Sequence, residues 1–284
     1  SDTCRISSPR EGQPAASFTL VEALSASSDV YFYKLAAEGF FPEPVRGPEG
    51  DEAIQAMAHR FGLGETTAVQ LVGEAPGAVP DRAYFDLKAE QGVFLRDGSQ
   101  WRPGDTVQLS IGQGLMLMTP LQLVNMYATI ANGGDVLQIN VASKIVSHDG
   151  EVLTEFGPRV LRSAGLAPAH LAEVEEGLLG VPKRTSVDGT AWRAFQGFDL
   201  VAWPVAGKTG TAEVDGKADT SLFVGYGPVI SGRDPEIAVA VVLEESGFGS
   251  SVAAPVAREL LEAWATDSIP IARTTDEIEQ GRID

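Results

Sequence analysis

VAGKTGTAEV, residues 205–214, is followed by DTSLFVGYGPV (219–229) and EIAVAVVLEE (236–245), and how these three runs are read decides the fold. Each is short and rich in β-branched, aromatic or small residues, and an Asp215-Gly216 turn separates the first from the second. Such spacing predicts an antiparallel meander. SSVAAPVARELLEAWA (250–265) comes next and has apolar residues at helical spacing, so a helix is expected to cover one face of the sheet.

Upstream of the meander the period is mostly helical. SFTLVEALSASSDVYFYKLAAEG (17–39) reads as two helices broken at Ser27-Ser28-Asp29, with a stop at Gly39, and FPEPVRGPEG as a loop. DEAIQAMAHRFG (51–62) is expected to be a short amphipathic helix closed by Gly62. GLGETTAVQLVGEAPGAVP (62–80) is expected to be an extended surface connection that continues irregularly to Pro103. LSIGQGLMLMTPLQLVNMYATIANGG (109–134) joins a glycine-rich turn to a buried helix capped by Thr119 and Pro120 and ended at Gly133. A hairpin at SKIVSHDGEVLTEF (143–156), a helix ending at Gly180 and a short helix over GTAWRAF (189–195) complete the block. The order is therefore α+β: a helical subdomain followed by an antiparallel sheet packed with helices. Residues 1–266 are expected to form one domain, and the polar stretch 267–284 a loosely held tail.

At 284 residues with 44% hydrophobic and 21% charged residues, the composition is that of a globular chain with a full core. The net charge of -18, with no basic run to offset it, argues against a nucleic-acid partner. The single Cys4 cannot make an internal disulfide. His59, His148 and His170 lack the spacing of a zinc site, and no phosphate loop occurs, so neither metal nor other cofactor is expected. No apolar run approaches the roughly 18 residues that span a bilayer. Trp101, Trp192, Trp203 and Trp264, with Met116, Met118 and Met126, read as packing residues, whereas Ser110 and Gln113 fit either a cleft or a plain turn.

Chemistry is concentrated at two places. Alternation along the first strand puts Lys208 and Gly210 on one face and Thr209 and Thr211 on the other. Gly210 leaves that face open, so an extended peptide ending in a carboxylate could lie along the strand near the Lys208 ammonium and a threonine hydroxyl. The plain alternative is an edge strand whose lysine discourages aggregation. Ser27 and Asp29 sit at a helix break where both side chains can face a cleft, and the plain alternative there is helix capping.

Taken together, Ser27-Ser28-Asp29 and Lys208-Thr209-Gly210 resemble the second and third of the three motifs of serine penicillin-recognising enzymes. ALSASSDVYFYKLA, DTVQLSIGQGLMLMTPLQLVNMYATIANGG, GTAWRAF, VAGKTGTAEV and DTSLFVGYGP extend the likeness from about Phe18 to Trp264. They resemble the transpeptidase domain of class B penicillin-binding proteins. Asp29, where asparagine is more usual, and KADTSLFVGYGP are similar to the elongation-type members called penicillin-binding protein 2. The resemblance implies a D,D-transpeptidase that cross-links peptidoglycan stem peptides ending in D-Ala-D-Ala and is trapped by β-lactams. It implies the extracytoplasmic face of a bacterial membrane as the location and a membrane glycosyltransferase as the partner. Ser27 would relay protons, Asp29 would take the asparagine position, and Lys208 would support that electrostatics. Thr209 and Thr211 would hold the substrate carboxylate, the Thr211 N–H would serve the oxyanion hole, and Gly210 would let the acyl chain lie flat.

One motif is missing. No serine among the 284 residues has a lysine three positions later, so the nucleophile motif of that family is absent. The expectation is an N-terminally truncated piece of an active enzyme, incomplete in its sheet and inactive alone. The alternatives are a noncatalytic receptor for D-Ala-D-Ala ends or β-lactams, a serine β-lactamase-type hydrolase, and a purely structural domain. No Glu-x-x-Leu-Asn of the class A hydrolases occurs, which favours transfer over hydrolysis.

Overall fold

The computed structural model describes residues 6–8, 16–37, 53–69, 71–93 and 101–267. Strands β1 (Ile6–Ser8) and β2 (Ala16–Phe18) form an antiparallel pair, followed by helices α1 (Leu20–Ala26) and α2 (Asp29–Ala37). Next come α3 (Ala53–Arg60), α4 (Arg82–Glu90), α5 (Pro103–Leu109) and α6 (Pro120–Ala131). Four short strands follow: β3 (Asp135–Leu137), β4 (Lys144–Val146), β5 (Val152–Glu155) and β6 (Val160–Ser163). Helix α7 (Pro168–Gly180) leads into β7 (Ala206–Ala212), β8 (Thr220–Gly227) and β9 (Ile237–Leu243), and α8 (Ala253–Ala265) closes the order.

The last three strands form the expected meander, in the order β7-β8-β9, with Lys208 opposite Val224 and Phe223 opposite both Thr209 and Val241. Period-2 alternation separates two cores across this sheet. On one face Val224 and Tyr226 pack with Leu123 and Tyr127 of α6 and Leu178 of α7. On the other, Phe223, Val239 and Val241 meet Ala253, Ala254, Ala257 and Leu261 of α8, with Phe195, Phe198 and Trp203 alongside. Phe223 and Leu261 have no exposed surface, and each such side chain contributes about 1.5–3 kcal/mol on burial.

Helix α6 begins as its sequence requires. The Thr119 hydroxyl accepts from the Gln122 N–H at 3.1 Å, and the Gln122 side chain accepts from the Thr119 N–H at 2.9 Å. The β4–β5 hairpin turns at Asp149-Gly150, and α7 ends at Gly180, as read from the sequence.

Three expectations fail. The stretch taken as irregular up to Pro103 contains α4, capped by the Asp81 carboxylate on the Tyr84 N–H at 2.6 Å. Its buried Phe85 meets Trp101 edge-on at 5.2 Å, and α5 then begins at Pro103 itself. The extended connection over 62–80 is not all at the surface, since Leu63, Val69 and Val79 are buried. GTAWRAF forms a chain of turns instead of a helix, because its N–H groups make no consecutive run of bonds four residues back: Trp192 donates to the Gly189 carbonyl and Phe195 to that of Ala191, while Thr190 donates to the Ser25 carbonyl and Ala191 to that of Val181. The stop at Gly39, the loop over 41–50, Cys4 and the tail over 268–284 lie outside the described residues.

Candidate active site

α1 delivers the serine. Gly177 and Gly180 of α7 face it so closely that a methyl group on either would collide with Leu24 or Ser25. Ser25 is buried there, its hydroxyl 2.9 Å from both the Val21 and the Gly177 carbonyls, which share its one proton. Two residues on, Ser27 ends the helix in the left-handed region, φ 52° and ψ 57°, and the Ser28 N–H bonds back to the Ala23 carbonyl at 2.9 Å. A serine gains little from that conformation, which costs on the order of 1–3 kcal/mol unless its surroundings enforce it. Its consequence is a reversal tight enough for α2 to begin at Asp29, which is exposed in that helix's first turn.

β7 delivers the lysine. Lys208 Nζ donates to Ser27 Oγ at 2.6 Å and to the Thr209 carbonyl at 2.9 Å, joining residues 181 positions apart. Burial pulls the Lys208 pKa from 10.5 down to about 8, while the Asp29 charge acts in the opposite direction. Roughly a tenth of the lysine is therefore neutral at pH 7. A cation that readily loses its proton and already holds a hydroxyl suits proton transfer better than static charge pairing.

The other edge of β7 is unpaired in this sheet, β8 being its only strand neighbour among the described residues. In an antiparallel strand the N–H and C=O of one residue point to the same side. The Thr209 carbonyl accepts from Lys208 Nζ, and the Thr211 carbonyl from Gln113 Nε2 at 3.4 Å, so neither faces β8. The N–H groups of Thr209 and Thr211 accordingly point to the open edge. Both threonine side chains lie on the opposite face from Lys208, as alternation predicted. The Thr209 hydroxyl is 2.6 Å from the Thr190 hydroxyl, and the Thr211 hydroxyl accepts from the Gly249 N–H at 3.2 Å. Gly210 keeps the Lys208 face flat, since an added methyl would press on the Leu222 side chain at 3.3 Å.

The structure thus brings Ser27, Lys208, Thr209, Gly210 and Thr211 to one edge, with Asp29 close enough to act through space. Thr190 is a member the sequence did not single out. Its neighbours in GTAWRAF stood out, but a hydroxyl pair formed across 19 residues leaves no local pattern. Gln113, open in the sequence, reaches the strand, whereas Ser110 donates to the Val107 carbonyl at 2.7 Å and serves its own helix end. Trp203 is buried in the α8-side core as expected. Met118, taken for a core residue, is 37% exposed. Among the described residues no group of three or more His, Cys, Asp or Glu could hold a metal ion, and no helix is long and apolar enough to cross a membrane.

Known proteins resemble this chain in sequence and in fold. The peptidoglycan D,D-transpeptidase MrdA of Haemophilus influenzae is 26% identical over 268 residues, which cover 88% of this chain and 37% of that protein. MrdA of Acinetobacter baumannii is 28% identical over 86% of this chain and 34% of its own length. Among solved structures, Pseudomonas aeruginosa PBP2 in complex with WCK 5153 superposes with a TM-score of 0.68 at 31% identity, over 92% of this chain and 54% of that one. A peptidoglycan synthase complex, described as coordinating polymerization and crosslinking, gives 0.70 at 30% identity over 91% and 39%. The chain thus spans little more than a third of the length of the curated relatives it matches. A family model described as the penicillin binding protein transpeptidase domain matches residues 6–262, so the helix break at Ser27 and the Lys208 strand sit in a chain that belongs to the penicillin-binding protein transpeptidase family.

Proposed function

We propose that residues 1–266 are part of the transpeptidase domain of an elongation-type peptidoglycan D,D-transpeptidase whose nucleophilic serine lies on chain outside these 284 residues. The observation that carries this reading is the 2.6 Å contact between Lys208 Nζ and Ser27 Oγ, beside an open strand edge. The reaction follows from the groups on that edge. The nucleophile attacks the carbonyl of the penultimate D-alanine as its hydroxyl proton passes to Lys208 in its neutral form, and the oxyanion that forms accepts from the Thr211 N–H. Collapse breaks the amide bond. The leaving D-alanine nitrogen takes the Ser27 hydroxyl proton, and Lys208, able to give up a proton at a pKa of about 8, replenishes it. The acceptor amine of a second stem peptide then attacks the acyl-enzyme, its proton passing through Ser27 to Lys208 and from there to the departing serine oxygen as the new amide forms and the ester bond breaks. Asp29 holds the Lys208 proton in place through its charge, and the Thr209 and Thr211 donors face the substrate carboxylate.

β-Lactams mimic the terminal dipeptide and acylate the same nucleophile. The reaction belongs to the extracytoplasmic face of a bacterial membrane, and the partner is a glycosyltransferase that polymerises glycan, as the 30% identical relative in a complex of polymerization and crosslinking supports. The net charge of -18 disfavours nucleic acid as a partner.

The test is labelling of the full-length protein with a fluorescent penicillin, with the adduct located by peptide mass mapping. A stable adduct on a serine outside these 284 residues, formed at least about a hundredfold more slowly in Lys208→Ala, is expected. Reversible binding with no adduct identifies a receptor instead, and rapid release of hydrolysed antibiotic identifies a hydrolase.

A further inference from the structure

Thr190 touches both halves of the site and has no role in the chemistry above. Its N–H donates to the Ser25 carbonyl at 3.1 Å, two residues before Ser27, and its hydroxyl lies 2.6 Å from that of Thr209, the neighbour of Lys208. Two hydroxyls at that distance use one proton between them. The donor spends its proton on the other oxygen, and the acceptor keeps its own for a third group. Which threonine donates therefore decides whether the free proton belongs to β7 or to the turn beside it. Thr209 is only 8% exposed, so bulk water does not readily supply that third group. Its peptide N–H also faces the open edge, where the Lys208 ammonium favours an anion.

We propose that Thr190 is a positioning residue for carboxylate recognition: it donates its hydroxyl proton to Thr209, leaving the Thr209 proton to bond the terminal carboxylate of an acyl-D-Ala-D-Ala peptide or a β-lactam. The inference rests on the transpeptidase reading and adds a specificity determinant to it. Through its peptide N–H the same residue keys the end of α1 to β7, so carboxylate capture and the Ser27–Lys208 contact share one support.

Benzylpenicillin and its methyl ester, which lacks the free carboxylate, separate this role from packing. The second-order acylation rate of the full-length protein is measured with both, for wild type, Thr190→Val and Thr190→Ser. Valine keeps the shape and the N–H but not the hydroxyl. A ten- to hundredfold slower reaction of Thr190→Val with benzylpenicillin is expected, about the loss of one hydrogen bond to a charged group. Its rate with the ester should stay within about twofold of wild type, and Thr190→Ser should recover most of the benzylpenicillin rate. Equal losses on both ligands, no loss on either, or failure of serine to recover the rate each overturn the inference while leaving the transpeptidase reading intact. A wild-type protein that reacts with neither ligand overturns both.

Discussion

Replacing Lys208 by methionine should change stability by an amount that depends on pH in a calculable way. The lysine pKa is 10.5 in an unfolded chain and about 8 in the fold, lowered by burial against the opposing pull of Asp29. The folded state therefore binds fewer protons than the unfolded state between pH 8 and 10.5, so wild-type stability rises with pH across that window. Below pH 8 the buried charge costs about 3 kcal/mol at full value. Part of the side chain remains accessible, and solvent screening brings this nearer to 2 kcal/mol. Methionine removes that cost together with the hydrogen bonds to Ser27 and the Thr209 carbonyl, each contributing about 1 kcal/mol. The two effects nearly cancel at pH 7, where Lys208→Met should sit within about 1 kcal/mol of wild type. Above pH 10.5 only the loss remains, and the variant should be about 2 kcal/mol less stable. Urea unfolding of the full-length protein and its variant at pH 7, 9 and 10.5 measures the difference. A gap that changes by less than about 0.5 kcal/mol across that range refutes the account of a lysine kept charged at a local cost.

Other changes test the scaffold. Gly180→Ala forces a methyl group into Ser25 and should destabilise by about 2 kcal/mol or more while slowing β-lactam labelling, because the α1 that carries Ser27 must shift; thermal melting and labelling read the two effects. Leu261→Ala leaves a cavity between α8 and the sheet and should cost about 2–5 kcal/mol in chemical denaturation, with labelling per folded molecule unchanged. Thr119→Ala removes the α6 cap and should lower stability by about 1 kcal/mol.

Elements whose signal was local were legible. β7, β8 and β9 showed their period and turn residues, while α6 carried a cap, a proline start and a glycine end in sequence and α7 a glycine end. α4 escaped because RAYFDLKAE offers one buried side chain, Phe85, and owes its start to a single Asp81 cap. GTAWRAF misled for the opposite reason: its residues favour a helix, but Thr190 and Ala191 tie it to Ser25 and Val181 and the bonds that follow reach three or four residues back without a consecutive run. The site divides in the same way. Ser27, Asp29 and Lys208-Thr209-Gly210-Thr211 were readable as motifs, and their meeting was implied only by family resemblance, since no spacing rule joins residues 181 apart. Thr190 left no such signal, because a hydroxyl pair has no periodicity.

The two central residues are both held in states that a chain does not favour alone. Ser27 occupies a left-handed conformation and Lys208 a buried position for its charge. Neither stabilises its own element, so other contacts must hold them, and those contacts are identifiable. Gly177 and Gly180 bring α7 against α1, Ser25 anchors that crossing with a buried hydroxyl, and Thr190 bonds both α1 and β7. The strain follows from function in that direction. A serine on a regular helix would point along the helix face, and a solvated lysine would keep its proton too firmly to exchange one with Ser27 at neutral pH. Relaxing the Ser27 backbone should therefore make the protein more stable and less reactive, replacing Lys208 should cost reactivity with little change in stability at pH 7, and loosening the α1–α7 crossing should reduce both together. That opposition separates residues that perform the chemistry from those that hold them in place.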